Sequence, residues 1–534
     1  MKQLGEVAMQ QNTFSSPVIR LAELMASLSL ATDLGMGQPL EHALCSCVLA
    51  VRLGELLGLG EEELREVYYL ALLHHIGCTA DTYRMAALFG DELMLRTEAA
   101  AVDSTQALQA ISMLVRTIRR SQEGASPVQL ARKLAQGILT AASLMQEEYA
   151  GFCEVAERLA GRLGFDERML QALGQTFERW DGKGAPAGLK GEEIARSVRI
   201  VTLAQDMITF QRLDGSDAAV ATARQRTGAT YDPQIVDCFC RQASPLLAGL
   251  EEDPSWEQVL ALEPGVRVYL ANEQFDAACQ AIADFVDLKS PYLLGHSSGV
   301  AELSARAARQ CGLPEVDAVA LRRAGWLHDL GRVGVSAGIW GKTGPLTQRE
   351  WEHVRLHPYY TERILARPGP LAELGTLAAL HHERLDGSGY HRNLSASPLS
   401  PAARILAAAD VYHAMLEPRP HRPARTAEAA ALELRREVRA GRLDGEAVNA
   451  VLAAAGNRMP GARRELVAGL SERELEVLRL IARGNSKKQI AALLTISEKT
   501  VDNHIQHLYI KAGVSSRAGA TLFAMEHGLL APVG

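Results

Sequence analysis

Aromatic residues make up only 5% of this 534-residue chain. Sheets lean on aromatic and β-branched side chains, so their scarcity beside abundant Ala and Leu points toward helix. Long apolar runs are also missing. No stretch approaches the roughly 20 residues of a membrane span, so no membrane partner is expected. The opening residues, MKQLGEVAMQQNTFSS, lack the apolar segment and basic flank of a secretory signal, which predicts a cytoplasmic protein. None of the eight cysteines forms a CxxC pair, so reduced core thiols are expected rather than a redox motif or thiolate zinc site. Nor is there an excess of positive charge. A net charge of −7 excludes nonspecific coating of nucleic acid but, as a sum over domains, leaves room for one DNA-binding module. The length requires several domains.

Histidine, by contrast, is concentrated. Nine of the fifteen lie between Tyr292 and Arg422, in the order His296, His328-Asp329, His357, His381-His382, with Asp410 following. Neutral imidazoles and carboxylates are the ligands that Zn, Mn or Fe take, and a carboxylate can bridge two ions. Two ions roughly 3.5–4 Å apart can clamp the attacking and leaving oxygens of a phosphoester displacement.

The chain also repeats itself. The interval from His42 to His74 is 32 residues, as is that from His296 to His328; Thr176 to Gln205 is 29, as is His381 to Asp410. The copies differ in one chemical direction. Copy one has His75 where copy two has Asp329, Thr176 and Phe177 for the His doublet, and Gln205 for Asp410. It therefore predicts no catalytic metal in copy one. About 49 extra residues around Asp91–Gln146 read as additional helices. Spacing predicts helices through both copies, with Val300, Leu303, Ala307 and Ala308 on one buried face and Gly331 as a C-cap. Val266–Leu270 reads as a strand or linker between the copies.

HDLGRVGV, Lys342 in IWGKTG, His357-Pro358, HHERLDGSGY and ADVY followed by RPHR make copy two resemble the HD-GYP family of HD phosphohydrolases over roughly 270–455. The resemblance implies an all-helical domain that hydrolyses cyclic di-GMP or a related cyclic dinucleotide. It implies that His296, His328, Asp329, His357, His381, His382 and Asp410 hold two divalent ions, Fe or Mn in preference to Zn or Mg, with Asp329 as the bridge. Asp329, Arg332 and Lys342 are the catalytic candidates; Gly387, Gly389, Tyr390, Arg419 and Arg422 are those for guanine and phosphate. Three positions depart from the family pattern: Arg332 replaces a lysine, His391 a proline, and Tyr292 the glutamate with which some members hold a third ion.

From Leu470 the character changes. Ser471-x-x-Glu474 is a capping box ahead of Leu475, Leu478 and Ile481; Gly484 ends that helix, Lys488–Leu494 forms another, and a third begins near Ser497. This is helix-turn-helix spacing, and the segment closely resembles the LuxR-type reader. On the third helix Val501, Ile505 and Leu508 should pack inward, while Lys499, Asp502, Asn503 and Gln506 share a face toward DNA. Lys487, Lys488, Thr500, Lys511 and Arg517 are expected on phosphates.

The expected fold is all-α, with a degenerate HD-type domain over 15–250, an HD-GYP-like domain over 270–455 and a helix-turn-helix domain over 466–534. The expected function is DNA-binding transcription regulation by a homodimer tuned by cyclic-nucleotide binding or hydrolysis. The alternatives are an enzyme placed by its DNA-binding tail, or a metal and nucleotide sensor without turnover.

Overall fold

The computed structural model describes residues 18–530 apart from 81, 101, 103–106, 122–126, 251–255, 368 and 457–466. The expected outer limits at 15, 466 and 534 lie outside the described residues, as does MKQLGEVAMQQNTFSS. The chain is all-α, with one two-stranded sheet among the described residues. That sheet pairs β1 (Val18–Arg20) antiparallel with β2 (Tyr269–Ala271), so the segment expected as a linker fastens the start of copy one to the start of copy two.

Copy one uses α1 (Leu21–Gly35), α2 (His42–Leu56), α3 (Glu61–Leu73), α4 (Glu92–Ala100), α5 (Pro127–Arg162) and α6 (Arg196–Asp214). Copy two answers with α7 (Asn272–Asp287), α8 (His296–Gln310), α9 (Glu315–Leu327), α10 (His357–Leu365) and α11 (Pro401–Leu416). The duplication extends to backbone detail. Both α2 and α8 open on a histidine that follows a left-handed residue, Glu41 at φ 68° and Gly295 at φ 78°. Val300, Leu303, Ala307 and Ala308 are all buried on α8. Gly325 lets α9 close on it, since a Cβ there would sit 2.6 Å from the Ala301 Cα.

Gly331 does not cap α9, which ends at Leu327. It lies in a 3-10 turn, Leu330–Gly334, where a Cβ would meet the His357 carbonyl oxygen at 2.0 Å. Its role is close approach of that turn to α10, rather than left-handed geometry.

The two copies do not have separate cores. One apolar core runs from Ile19 to Leu374 and takes in Ala518 and Leu522 near the C-terminus. A second fills the outer layer of copy two, from Val300 to Ala454. At the junction Lys289 and Glu92 form an ion pair of 3.1 Å with both side chains fully buried. Lys289 also donates to the Val333 carbonyl, and Glu92 accepts from the Ser336 hydroxyl and the Ala337 amide. The helix inserted into copy one thus grips the turn that follows Asp329.

The C-terminal unit comprises α12 (Glu472–Ala482), α13 (Lys487–Leu494), α14 (Glu498–Ala512) and α15 (Arg517–Glu526), around a small core of its own. Ser471 and Glu474 form the reciprocal cap on α12. This unit packs on α5. Arg158 donates to the Gly513 carbonyl at 2.6 Å, and the Ser515 amide and hydroxyl donate to Glu154 at 2.9 and 3.0 Å.

Candidate metal centre

Five elements carry seven side chains to one point in copy two. His296 opens α8, His328 follows α9, Asp329 begins the next turn, His357 opens α10, His381-His382 lie in the turn that follows the helix Pro370–Ala378, and Asp410 lies within α11. All are buried except His382, which is half-buried. Asp329 divides them. Its Oδ2 lies 3.1 Å from His328 Nε2 and 3.5 Å from His296 Nε2, with Asp410 Oδ1 3.2 Å from His296. Its Oδ1 faces the other side, 3.5 Å from both His357 Nε2 and His381 Nε2. Two triads result, His296–His328–Asp410 and His357–His381–His382, each with ligand atoms within 4.8 Å of one another.

These donors fit divalent cations. His296 Nε2, His328 Nε2, both Asp329 oxygens, His382 Nδ1 and Asp410 Oδ1 are buried without a hydrogen-bond partner, an arrangement costly unless a ligand compensates it. Burial pushes His357 and His382 well below the ordinary imidazole range and lowers His381, which keeps them neutral and able to ligate. Burial alone would raise Asp329, but Arg332 and His328 hold it well below the carboxylate range; His296 and His382 do the same for Asp410. Burial alone would lower His296, but Glu417 and Asp410 carry it up to about 10. A divalent cation bound here would take the place of that proton.

The remaining candidates divide. Arg332 lies at the centre, its Nε 2.8 Å from Asp329 Oδ1 and its guanidinium over the Trp340 ring. Lys342 turns instead to Glu350, at 2.8 and 2.6 Å. Gly387 adopts φ 77°, and a Cβ on Gly389 would lie 2.5 Å from the Arg384 amide nitrogen, so the loop folds tightly against the His doublet. Tyr390 places its ring 4.7 Å from that of His382. Arg419 and Arg422, expected on guanine and phosphate, are committed to the fold. Arg419 binds Glu417 and the Tyr292 carbonyl, and Arg422 binds the carbonyls of Ala414 and Glu417. His391 and Arg392 both reach Glu362, tying the loop to α10.

Copy one shows how such a site is lost. Gly77 lies against the Phe152 carbonyl as Gly331 lies against that of His357, a Cβ on either glycine falling 1.9 or 2.0 Å from the oxygen, so Phe152 occupies the third ligand position. The long inserted segment hides this match in the sequence. Phe152 and Phe177 lie 6.1 Å apart and Tyr149 stacks on Phe177 at 4.4 Å, so aromatic rings sit at this copy's ligand positions.

In the C-terminal unit Val501 and Leu508 are buried and Ile505 half-buried. Lys499, Asn503 and Gln506 are exposed together on α14, with Lys488 exposed on α13 and Thr500 bonded to the Ser497 cap. Asp502 pairs at the surface with Lys487. Lys511 pairs with Glu474, and Arg517 donates to the Asn485 carbonyl, so neither is poised for phosphate. Charge at a helix-packing seam goes first to the groups that seam leaves unsatisfied.

The chain matches the HD domain family over 120–235 and 280–447, one stretch in each copy, and the bacterial regulatory proteins of the luxR family over 468–524. It is similar to 3′3′-cGAMP-specific phosphodiesterase 3 of Vibrio cholerae, 33% identical over 423 residues that cover 78% of this chain and 90% of the relative. A crystal structure of cyclic GMP-AMP specific phosphodiesterases from V. cholerae superposes with a TM-score of 0.57 at 28% identity, over 82% of this chain and 98% of that one. The tail is 49% identical over 71 residues to the nitrate/nitrite response regulator NarP of Escherichia coli, 13% of this chain and 33% of the relative. With its duplicated helical bundle and the ligand cluster of copy two, the chain belongs to the HD domain family and ends in a LuxR-type helix-turn-helix domain.

Proposed function

We propose that copy two is a two-metal phosphodiesterase for a 3′,3′ cyclic dinucleotide, and that the chain is a cytoplasmic, homodimeric transcription regulator whose DNA reader reports the state of that site. The division of six ligands by the two oxygens of Asp329 carries the first part. His328, His357 and His381 each aim Nε2 inward because Nδ1 is held by a backbone carbonyl. Asp329 serves both triads, and Arg332 fixes its orientation. The glycine loop brings backbone and the Tyr390 ring to the mouth of the site, where a base can stack. Divalent cations bound to these residues would supply the charge that activates water and offsets charge building on the phosphoryl oxygens. The relative that spans most of the chain favours cyclic GMP-AMP as substrate, and a cyclic di-GMP phosphodiesterase similar over 26% of the chain keeps cyclic di-GMP beside it.

The second part rests on where the reader packs. Ile481, Ala482, Gly484 and Arg517 share a small cavity with Tyr83, Pro291 and Leu294, and the last two belong to the turn that delivers His296. A change at His296 therefore reaches the reader through one short segment. Lys499, Asn503 and Gln506 stay exposed for a major groove, and Lys487 and Lys488 for backbone phosphate.

Arg332 favours one competing reading. A permanently charged guanidinium on Asp329 is a poor proton donor, which suits a site that binds nucleotide without cleaving it. Incubating the intact protein with cyclic GMP-AMP or cyclic di-GMP and Mn or Fe separates the two. Linear product that disappears in Asp329→Ala supports the phosphodiesterase; metal-dependent binding without product assigns a sensor, and no binding at all overturns both.

A further inference from the structure

His296 differs from the other ligands in what aims it. His328, His357 and His381 each place Nδ1 on the carbonyl three residues earlier, at 2.8, 2.6 and 2.7 Å. His296 does not: the carbonyl three residues back, that of Leu293, accepts its backbone amide at 2.9 Å and not its ring. Its Nδ1 instead reaches Glu417, 3.0 Å away and 121 residues downstream. That carboxylate is itself held on both sides. Its other oxygen lies 3.1 Å from His413 Nδ1, and Arg419 binds it at 2.7 Å while donating to the Tyr292 carbonyl, closing a ring back onto the turn before His296.

Copy one supplies an internal control. The 205-residue offset that relates Gln205 to Asp410 relates Arg212 to Glu417. Arg212 opposes rather than assists a cation near His42, whose Nδ1 is buried without a partner. Where the ligand set is gone, the carboxylate is gone too.

We propose that Glu417 is the positioning residue of the metal centre: it accepts the Nδ1–H of His296, fixes the tautomer, and aims Nε2 at the position shared with His328 and Asp410. The inference rests on the two-metal reading of copy two. A carboxylate behind a ligating histidine sets ring orientation and basicity, and losing one lowers metal affinity by about 10–100-fold.

The test is Mn²⁺ binding to the intact protein by calorimetry and chelator competition, with melting of the metal-free protein as the fold control. Wild type should bind two ions. Glu417→Ala should weaken one binding event about 10–100-fold and leave the other within about threefold, because the His357–His381–His382 triad does not touch Glu417. Glu417→Gln keeps an acceptor oxygen and should recover part of the loss, whereas His413→Ala leaves the Glu417–His296 bond in place and should change little. Equal weakening of both events, or none, in a Glu417→Ala protein that melts normally would overturn the assignment. Failure of wild type to bind Mn²⁺ would overturn the two-metal reading instead.

Discussion

Replacing Thr361 by valine removes one oxygen from a fully buried position and almost no volume. That oxygen serves two backbone groups, accepting from the Gly331 amide and donating to the His328 carbonyl, both at 2.9 Å. Without it both groups are left dry. Each orphaned buried group costs about 1–3 kcal/mol, and the added methyl returns no more than about 0.8 kcal/mol of apolar burial. The net loss should be about 1–5 kcal/mol. Thr361→Ser is the control, because it keeps both hydrogen bonds and sacrifices a methyl group, at about 1 kcal/mol. Urea denaturation of the intact protein, followed by tryptophan fluorescence, ranks the variants; Trp326 and Trp340 report on the adjoining turn. The same two bonds set the spacing between His328 and His357, so Mn²⁺ affinity should fall in the order wild type, Ser, Val. If Val is as stable as Ser or more so, packing rather than hydrogen bonding holds the turn, and the reasoning fails.

Other perturbations read other seams. Against its burial, hydrogen bonds from Lys511 and Ser471 hold the Glu474 carboxyl at about 2. Because this folded value lies below that of the unfolded chain, the stabilisation is present above about pH 4.5 and is lost as pH falls toward 2; Lys511 is partly exposed, so screening leaves at most about 1 kcal/mol. Glu474→Gln should remove that pH dependence from the melting of the C-terminal unit, and an unchanged profile counts against the pair. Lys289→Met strands the Glu92 carboxylate in the core and should cost about 3–5 kcal/mol in denaturant titration, while a cost under about 1 kcal/mol would mean water reaches the site. Asn503→Ala and Gln506→Ala should each reduce discrimination between operator and random DNA by about 1–3 kcal/mol in competition binding; an unchanged ratio would refute the face assignment. Combined Glu154→Ala and Arg158→Ala should raise hydrogen exchange along α15 with little change in α8, and equal protection would show that the polar contacts add nothing to docking.

What the sequence displayed was local or periodic. The capping box at Ser471 and Glu474 depends on residues three apart, and helix spacing put Val501 and Leu508 inward without reference to distant neighbours. The paired intervals that exposed the duplication survive because α2 and α3 keep the lengths of α8 and α9. What stayed hidden depends on contacts across long stretches of chain. Phe152 stands at the position of His357 behind an inserted segment, and Glu417 reaches His296 across 121 residues. Charged residues were the least legible. Arg419, Arg422, Lys511 and Arg517 carry the charge that phosphate recognition wants, but each lies beside unsatisfied carbonyls or a carboxylate of its own fold, and a nearby partner outcompetes an external one.

The shared core changes what the loss of ligands in copy one means. A separate degenerate domain could be removed; this one is built into the fold, because Glu92 anchors Lys289, the Ser336 hydroxyl and the Ala337 amide behind Asp329, and α5 carries both Phe152 and the bed on which the C-terminal unit lies. Phe152 and Phe177 at its ligand positions, with Tyr149 stacked on Phe177, replace polar groups that would need an ion by apolar contacts that need none. The result is an apolar block between the two other parts. On one side sits a cluster of buried donors that divalent cations would satisfy, and on the other the C-terminal unit, held through Arg158, Glu154 and the buried Ala518 and Leu522. The turn from Pro291 to His296 is where the cluster and the C-terminal unit approach each other, so the proposed coupling between them has a short path that bypasses copy one.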